Sequence, residues 1–360
     1  MTMSGALPFG WLRGPIAGPL TSLRASVLIR RTAPAAVAAL LDGDGRSWRM
    51  GERLRGGSDT AIVAMHDGDA TGGRSILLKA TMSRPGRAQL VRQGTVLAAL
   101  HADERLGPWR GLLPRILAAG DVNGAYCTLE TRLGGGDGRI AVADPHRRDL
   151  VLAGALDAIT RLHRRTASVV TVADAGITRW IGEPAAVVRP VLRGAYRAAL
   201  DRLVGELTGS LHGRRVAVGW VHGDFTAHNV LCAPGCEVTG VVDWCQSDPD
   251  GLAVLDVVSF LLTFDTEVAG EELGTVVVRW LADPGRAGAV LTEAQRGLGA
   301  DPLGPGTLAL LAWLRHVATN IAKSPRYAAN PVWIRRNVRA VLRHWYRPPR
   351  HRHPGPVPPG

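Results

Sequence analysis

Residues 219–231 read GWVHGDFTAHNVL, a segment that begins and ends apolar and carries three polar side chains near its centre. Asp224 follows an apolar run, so its carboxylate is expected to project from the end of a rigid strand. Asn229 can fold back beside Asp224 if the loop between them turns. A carboxylate can accept a hydroxyl proton, and an amide oxygen can bind a hard cation. The segment therefore predicts a catalytic or cation-binding loop, in which His222 is expected to brace the backbone by hydrogen bonds.

A second acidic motif follows in TGVVDW, residues 239–244, where Asp243 ends another short apolar run. The connecting residues CAPGCEVTG predict a hairpin between the strands WVHGD and TGVVDW. Such a hairpin would bring Asp224, Asn229 and Asp243 to neighbouring strand ends. Oxygen donors of these types suit Mg²⁺, which also binds phosphate oxygens. Asn229 and Asp243 are thus predicted metal ligands; the alternative is three unrelated polar loop residues.

Lysine is rare in this chain, which has Lys79 and Lys323 against 41 arginines. Where Arg is the default cation, a Lys on a predicted strand suggests a compact point charge. Residues 51–81 are predicted as strand, glycine turn, strand, hairpin and strand. Backbone N–H groups of Gly56, Gly57 and Ser58 could approach phosphates there, with Lys79 supplying the charge. The alternative for Lys79 is a solvated side chain on an edge strand.

The chain changes character near its middle. Residues 86–102 predict a helix and 125–133 a further strand, and GGGDG at 134–138 predicts a flexible joint. Beyond the joint, amphipathic helical patterns dominate. The fold class is therefore α+β and bilobal, with a small N-terminal antiparallel β lobe and a larger, mainly α-helical C-terminal lobe. The predicted boundaries are an irregular leader (1–23), an N-terminal lobe (24–133), a hinge (134–138), a C-terminal lobe (139–346) and a disordered tail (347–360).

Composition excludes several classes of protein. Apolar content of 46% with 21% charged residues is ordinary for a globular protein. The leader lacks a continuous apolar region and no apolar stretch is long enough to span a bilayer, so we expect no signal peptide, no transmembrane segment and a cytoplasmic location. The net charge of +12 reflects a general Arg bias, so it is weak evidence for nucleic acid. The four cysteines form no CxxC pair and are predicted as free thiols; a redox or metal role is the weaker alternative.

These motifs, in this order, resemble the aminoglycoside phosphotransferase/choline kinase family, a branch of the protein-kinase-like fold, over roughly residues 48–320. The resemblance implies an ATP- or GTP-dependent kinase that uses Mg²⁺. It makes the N-terminal lobe nucleotide-binding and the C-terminal lobe catalytic and acceptor-binding. The positions that it implies are Lys79 as the phosphate-binding lysine, Asp224 as the catalytic aspartate, Asn229 and Asp243 as the metal ligands, Asp256 as a structural acid, and Glu130 and Thr131 as hinge residues whose backbone contacts adenine.

One position departs from the family pattern. The helix after the lysine strand usually carries a Glu that pairs with the lysine, and Gln93 occupies that position here. A Gln can accept a hydrogen bond from Lys79 but supplies no charge, so Lys79 is expected to be held less firmly. A nucleotide-binding pseudokinase or regulatory protein is therefore the alternative to an active enzyme.

The acceptor is predicted from charge. Residues 302–360 contain no Asp or Glu but many Arg. Because the resemblance implies that the terminal helices line the acceptor cleft, a neutral or anionic small molecule is favoured, such as a sugar or an envelope or antibiotic-type metabolite. The acidic stretch FDTEVAGEEL keeps an aminoglycoside or amino alcohol as the alternative. The terminal helix 332–346 is expected to dock on the large lobe with its Arg outward; contact with a membrane surface is the alternative, and the oligomeric state is unknown.

Overall fold

The computed structural model describes residues 19–41, 47–54, 60–67 and 74–346, without the side chains of residues 19–26, 31 and 286. Three predicted regions lie outside the described residues: the leader up to residue 18, the glycine turn Gly56–Gly57–Ser58, and the tail 347–360. The chain forms two compact units, one from residues 1–168 and 217–268 and one from residues 169–216 and 269–360. These units group residues by contact, and the predicted lobe and hinge boundaries stay a prediction.

The first unit contains a five-stranded antiparallel sheet in the order β1-β2-β3-β5-β4. The predicted strands of residues 51–81 and 125–133 are confirmed, and β4 was not foreseen. In β3 the apolar residues Ile76, Leu78 and Ala80 alternate with polar or half-buried ones, so one face packs into a core and the other carries Lys79. The strands are β1 (Trp48–Leu54), β2 (Ala61–Asp67), β3 (Ser75–Thr81), β4 (Ile116–Val122) and β5 (Ala125–Thr131).

A long N-terminal helix covers the apolar face of this sheet. Helix α1 runs from Pro19 to Leu40 and begins inside the stretch predicted as irregular leader. A proline is tolerated in the first turn of a helix, where its missing N–H has no partner to lose. Buried residues at helical spacing then join the core of the sheet; they are Ile29, Ala33, Ala36 and Val37.

Helix α2 (Arg84–Ala102) confirms the predicted helix after the lysine strand. Ser83 caps its start, where the Oγ accepts a hydrogen bond from the Gly86 N–H at 3.0 Å. At its middle, the Arg92 guanidinium donates to the main-chain oxygens of Cys245 and Ser247 at 2.8 and 2.9 Å. Helix α2 is thereby tied to the segment that follows Asp243.

The remainder of the first unit surrounds the segment that carries Asp224, residues 219–231. Helix α4 is buried along one side, and helix α8 is buried almost all round between Val254 and Phe264. The elements are a 3₁₀ helix Glu104–Leu112, β6 (Gly136–Asp137), α3 (Gly138–Ala143), α4 (Arg148–Thr166), β7 (Ser168–Thr171), which leads into the second unit, β8 (Arg215–Val221), which returns from it, 3₁₀ turns at Ala227–Asn229 and Trp244–Gln246, β9 (Val230–Cys232), β10 (Val238–Val241), β11 (Asp248–Leu252) and α8 (Val254–Ala269).

The predicted hairpin partner was wrong. Strand β10 pairs with β9, the short VLC run after the loop, with Val241 opposite Val230. Strand β8, which leads into Asp224, pairs instead with β11. Three apolar residues after Asn229 are enough for a strand, and this short run is the nearer partner across the CAPGCEV turn. The loop therefore lies between two different sheets.

Gly135 and Gly138, two of the four glycines at 134–138, allow close packing, and the flexible joint expected there stays a prediction. Gly136 and Asp137 form β6, which pairs with Cys232 and Leu231 of β9. A Cβ on Gly138 would lie 2.9 Å from the main-chain oxygens of Ala227 and Val230. The absence of side chains thus lets this segment lie directly against the Asp224 loop.

The second unit is helical, as the amphipathic patterns predict. Its terminal segment buries Ile334, Val338 and Trp345 and leaves its arginines exposed, so it docks within this unit as expected. No helix in the described part of the chain is long and apolar enough to cross a membrane. The helices are α5 (Asp174–Ile177), a π turn Thr178–Gly182, α6 (Glu183–Val188), a 3₁₀ turn Arg189–Val191, α7 (Ala195–Leu211), α9 (Leu273–Ala282), α10 (Arg286–Gly297), α11 (Pro305–Lys323), α12 (Pro325–Ala328), α13 (Pro331–Trp333), a π segment Ile334–Arg339, α14 (Ala340–Leu342) and a 3₁₀ turn Arg343–Trp345.

Candidate active site

Lys79 is buried, and its ammonium is paired with a carboxylate from the neighbouring strand. The Nζ lies 2.7 Å from Glu130 Oε1. The other carboxylate oxygen of Glu130 accepts a hydrogen bond from Gln93 Nε2 at 2.9 Å. Burial opposes the charge on Lys79, but Glu130 and Asp243 outweigh it, and together they raise the pKa of Lys79 above its ordinary value. Lys79 is therefore a cation at neutral pH.

The loop that carries Asp224 is held on one side by Asp256, at the start of α8. The Asp256 side chain is fully buried. Its carboxylate accepts hydrogen bonds from the backbone N–H of His222 at 2.7 Å and of Gly223 at 3.0 Å. The His163 ring lies 3.3 Å from the same carboxylate. One acid thus fixes the two residues that precede Asp224.

His222 braces the same loop by hydrogen bonds, as the sequence predicted. Its Nε2 lies 2.9 Å from the main-chain oxygen of Val242, and its Nδ1 accepts the Asp224 N–H at 3.2 Å. These two contacts together require the proton on Nε2. The ring also packs on Trp244, with ring centroids 4.6 Å apart. His222 therefore joins the Asp224 loop to the strand end that carries Asp243.

Asn229 and Asp243 are adjacent across the β9–β10 hairpin, because the Val242 N–H donates to the Asn229 main-chain oxygen at 2.9 Å. The Asn229 Nδ2 donates to the main-chain oxygen of Asp224 at 2.8 Å. That contact uses the donor end of the amide and leaves its carbonyl oxygen as the acceptor end. Asp243 has a φ of 66°, a left-handed conformation that is uncommon for a non-glycine residue. This strained backbone turns the chain sharply at the point where the carboxylate is needed.

The donor set fits a hard cation such as Mg²⁺. The carboxylates of Asp224 and Asp243 are half-buried and accept no hydrogen bond from any residue that the structure describes. With the Asn229 oxygen, they offer only oxygen donors. Among the described residues no cluster of three or more His, Cys, Asp or Glu side chains could hold a metal by itself. A cation here would need further oxygens, which a nucleotide phosphate can supply.

The predicted hinge residues Glu130 and Thr131 have contacts that the sequence did not indicate. The Thr131 N–H donates to the Arg115 main-chain oxygen at 2.9 Å, inside the sheet. Glu130 contributes a buried side chain at Lys79, a function that the sequence analysis did not assign. Gln93 contacts Glu130 in the place of the predicted bond with Lys79. A contact between adenine and the Glu130 and Thr131 backbone stays a prediction.

A second group near the loop was also not foreseen. His228 Nδ1 lies 3.4 Å from Asp137 Oδ2, and His228 Nε2 lies 3.8 Å from Glu267 Oε1. Asp137 also caps α3 through the Arg139 N–H at 2.8 Å. Burial acts to raise the pKa of Asp137, but the His228 ring and the Arg139 N–H outweigh it and lower that pKa. The sequence signal was weak, because an acid after a glycine run gives no indication of its partner.

The four cysteines are all buried thiols that form no disulfide with one another, as predicted. Burial raises the pKa of Cys127 and of Cys232 to about 11. Neither thiol is suited to nucleophilic chemistry at neutral pH.

The solved structures that are similar to this chain include the following two proteins. An aminoglycoside phosphotransferase of Streptomyces rimosus, in complex with ADP and streptomycin, is 17% identical with a TM-score of 0.47, covering 82% of this chain and 98% of its own. A protein of Haemophilus somnus assigned as a fructosamine-3-kinase is 12% identical with a TM-score of 0.41, covering 81% and 99%. No curated protein matches the chain.

The family assignment comes from a sequence match over more than half of the chain. The model of the phosphotransferase enzyme family matches residues 51–290, a range that contains the lysine strand, the Asp224 loop and the Asp243 turn. The β sheet followed by a helical region is the fold expected from the resemblance. The chain therefore belongs to the phosphotransferase enzyme family and is a kinase-type phosphotransferase.

Proposed function

We propose that this protein is an ATP- and Mg²⁺-dependent O-phosphotransferase that acts on a hydroxyl group of a small molecule. The observation that carries the proposal is the pair of carboxylates, Asp224 and Asp243, which accept no hydrogen bond within the described part of the chain, with Asn229 hydrogen-bonded to the Asp224 and Val242 backbones. Lys79 adds a buried cation whose charge interacts with Asp243. A general base, two cation ligands and a phosphate-binding cation are the parts that phosphoryl transfer from a nucleotide needs.

Each of these residues has a distinct role in the proposed reaction. Asp224 would orient the acceptor hydroxyl and accept its proton. Asn229 and Asp243 would hold Mg²⁺, which neutralises phosphate charge, and Lys79 would steady the phosphates. Catalysis is then mostly positioning and charge stabilisation, which depends on the rigid bracing of the loop by His222. GTP could replace ATP without any change in these roles.

The acceptor that we propose is neutral or anionic, such as a sugar or an envelope or antibiotic-type metabolite. Residues 302–360 carry no Asp or Glu, and the exposed side of the terminal segment carries Arg335, Arg336, Arg339 and Arg343. In the family that the chain resembles, the terminal helices line the acceptor cleft. Part of the acidic stretch before them is already engaged, because Glu271 contacts Arg279 and Glu272 contacts Arg336. These two acids hold protein cations, so they are poor candidates for binding a cationic acceptor.

A cationic acceptor, an aminoglycoside or amino alcohol, is the second candidate. One observation favours it: Asp137 and Glu267 flank His228 beside the catalytic loop. Two carboxylates near the acceptor hydroxyl would attract an ammonium group. The two candidates are separated by a phosphotransfer screen that contains sugars, amino alcohols and aminoglycosides at equal concentration.

A pseudokinase is the alternative from a different class. Its support was Gln93, which leaves the helix without an acid for Lys79. Because Glu130 supplies that acid from β5, the support is weaker than the sequence implied.

The buried thiols and the need for ATP fit a cytoplasmic enzyme, which is the location that we propose.

The proposal is tested with Mg²⁺-ATP binding and turnover in three variants. Asp224→Asn should abolish phosphotransfer and leave ATP binding intact, and Lys79→Met should weaken ATP binding. Asp157→Asn, which alters a surface pair on α4, is the matched control and should behave as the wild type. Full turnover in the Asp224→Asn variant would refute the catalytic assignment, and unchanged ATP binding in Lys79→Met would refute the nucleotide site.

A further inference from the structure

We propose that Glu130 on β5 is the positioning residue of Lys79, and that it supplies from a strand the counter-ion that the family resemblance assigns to helix α2. This inference rests on the proposed function, since it concerns how Lys79 is held for the nucleotide phosphates. Glu130 does not touch the phosphates in this proposal. It acts only through the direction and charge of the Lys79 ammonium.

Strand register places the two residues together. Lys79 lies opposite Thr128 in the antiparallel β3–β5 pair. Glu130 is two residues beyond Thr128, so it projects from the same face of the sheet as Lys79. A diagonal neighbour of this kind is within reach of a long side chain. The observed 2.7 Å contact between Nζ and Oε1 follows directly from that register.

The pair is buried and Gln93 completes it. Lys79 is 7% exposed and Glu130 is 1% exposed. A buried carboxylate needs partners for both oxygens, and Glu130 has Lys79 on one and Gln93 on the other. Gln93 is itself 3% exposed. An acid at position 93 would have put two carboxylates side by side, so the neutral amide on α2 and the acid on β5 fit each other.

Charge decides the role of Glu130. A lysine buried without a counter-ion loses its proton readily, because the low-dielectric interior disfavours the charged form. A neutral lysine would be a poor ligand for phosphates. Glu130 keeps Lys79 protonated, and Gln93 keeps the Glu130 carboxylate in one orientation. Together the three residues present a fixed cation on the face opposite α1.

The main test is Glu130→Gln, which removes the charge and retains the size of the side chain. The amide at position 130 can accept from Lys79 and, after a flip of the Gln93 amide, donate to it, so the hydrogen bonds survive. We expect KM for ATP to rise and kcat to fall, each by about tenfold or more, because a charge-assisted hydrogen bond to Lys79 is replaced by a weaker bond to a neutral amide. Asp157→Asn on the surface of α4 is the control and should match the wild type.

Rescue separates positioning from mere stability. The double variant Gln93→Glu/Glu130→Gln returns one carboxylate to the cluster, now on α2, and should recover most of the lost kcat.

The single variant Glu130→Gln should also acquire a new pH dependence. Its ATP affinity should fall as the pH rises above neutrality, because Lys79 then has only its coulombic interactions with Asp243 and Cys245 to hold its proton, whereas wild-type affinity stays flat over that range.

Nuclear magnetic resonance tests the pairing even if Glu130→Gln fails to fold. Lys79 and Lys323 are the only lysines in the sequence, so ¹⁵N-labelled lysine gives two side-chain signals. The Lys79 ammonium in the wild type should exchange its protons more slowly than exposed Lys323, because it is buried and paired with Glu130. Equal exchange for both lysines would overturn the proposal.

Two further results would overturn it, and one would not. A folded Glu130→Gln with wild-type kinetics and a flat pH profile excludes the role, as does a folded double variant that recovers nothing. If the wild type shows the slow Lys79 signal but neither binds nor turns over Mg²⁺-ATP, the proposed function fails while the pairing stands.

Discussion

Asp256→Asn should loosen the loop that carries Asp224, and its cost can be worked out from the contacts. Asp256 accepts two backbone hydrogen bonds, from His222 at 2.7 Å and Gly223 at 3.0 Å, with no exposure to solvent. An Asn keeps one acceptor oxygen and places an NH₂ group against the other N–H. One charge-assisted bond is lost and one buried donor is left without a partner.

The expected magnitude follows from these losses. A hydrogen bond to a charged group contributes about 1.5–3 kcal/mol, and an unsatisfied buried donor costs about 1–3 kcal/mol. Because the two terms overlap, we expect the free energy of unfolding to fall by about 2–4 kcal/mol. Turnover should suffer more, since a displacement of about 1 Å at a catalytic group lowers the rate about a hundredfold.

Urea unfolding followed by tryptophan fluorescence measures the first effect, because buried Trp244 packs on His222 and reports on the loop. Steady-state phosphotransfer measures the second. Asp157→Asn removes a surface carboxylate paired with Arg161 at 3.0 Å and should cost only about 0.3–0.5 kcal/mol. If the free energy of unfolding of the Asp256→Asn protein falls by no more than that of Asp157→Asn, and its kcat is unchanged, Asp256 does not hold the loop.

Three other predictions concern different parts of the first unit. Gly138→Ala should lower the free energy of unfolding by about 1–3 kcal/mol and reduce turnover, because its Cβ would press on main-chain oxygens 2.9 Å away. Gly136→Ala is the control and should keep its turnover, because the space around it is open. Equal turnover in the two variants would contradict the close-packing argument. Cys127 and Cys232, whose pKa burial raises to about 11, should not react with a thiol reagent at about pH 8 until the protein is unfolded, and rapid labelling of either in the native protein would contradict their burial. Asp137→Asn keeps the helix cap but removes the charge. Burial acts to raise the pKa of Asp137, but its contacts with His228 and Arg139 outweigh it and lower that pKa in the folded protein, so the variant should be less stable at neutral pH. This difference should shrink as the pH falls below the ordinary Asp value and through the lowered pKa, because the carboxyl is then protonated in the folded as well as the unfolded protein; a deficit that is independent of pH would refute the charge argument.

Much of the site could be predicted from local sequence alone. Asp224, Asn229 and Asp243 lie at the ends of short apolar runs, so their spacing and polarity indicate a loop with oxygen donors. The bracing role of His222 followed from the same position. These inferences needed only the immediate neighbours in the chain, so they did not depend on the hairpin partner, which was wrong. The bracing contacts of His222 are observed, and the roles of Asp224, Asn229 and Asp243 stay a prediction.

The partner of Lys79 needed information that the sequence does not display. The 79–130 contact depends on the register of two strands with a helix and another strand between them in the chain. The family pattern at position 93 indicates that an acid is missing, but the acid that pairs with Lys79 is Glu130 in the neighbouring strand β5. Helix α1 was missed for a different reason, since its proline-rich start suggests an irregular chain until the buried stripe of Ile29 and Ala33 is seen.

The strand origin of Glu130 has a consequence for control of the enzyme. Where the lysine's acid lies on a helix, a rotation or outward shift of that helix breaks the pair, and a binding partner can use the movement as a switch. Here both charges are anchored in adjacent strands of one sheet by the same ladder of main-chain hydrogen bonds. Displacement of α2 would remove Gln93 but leave the ion pair. A protein built in this way is expected to be constitutively assembled, with its output governed by substrate supply.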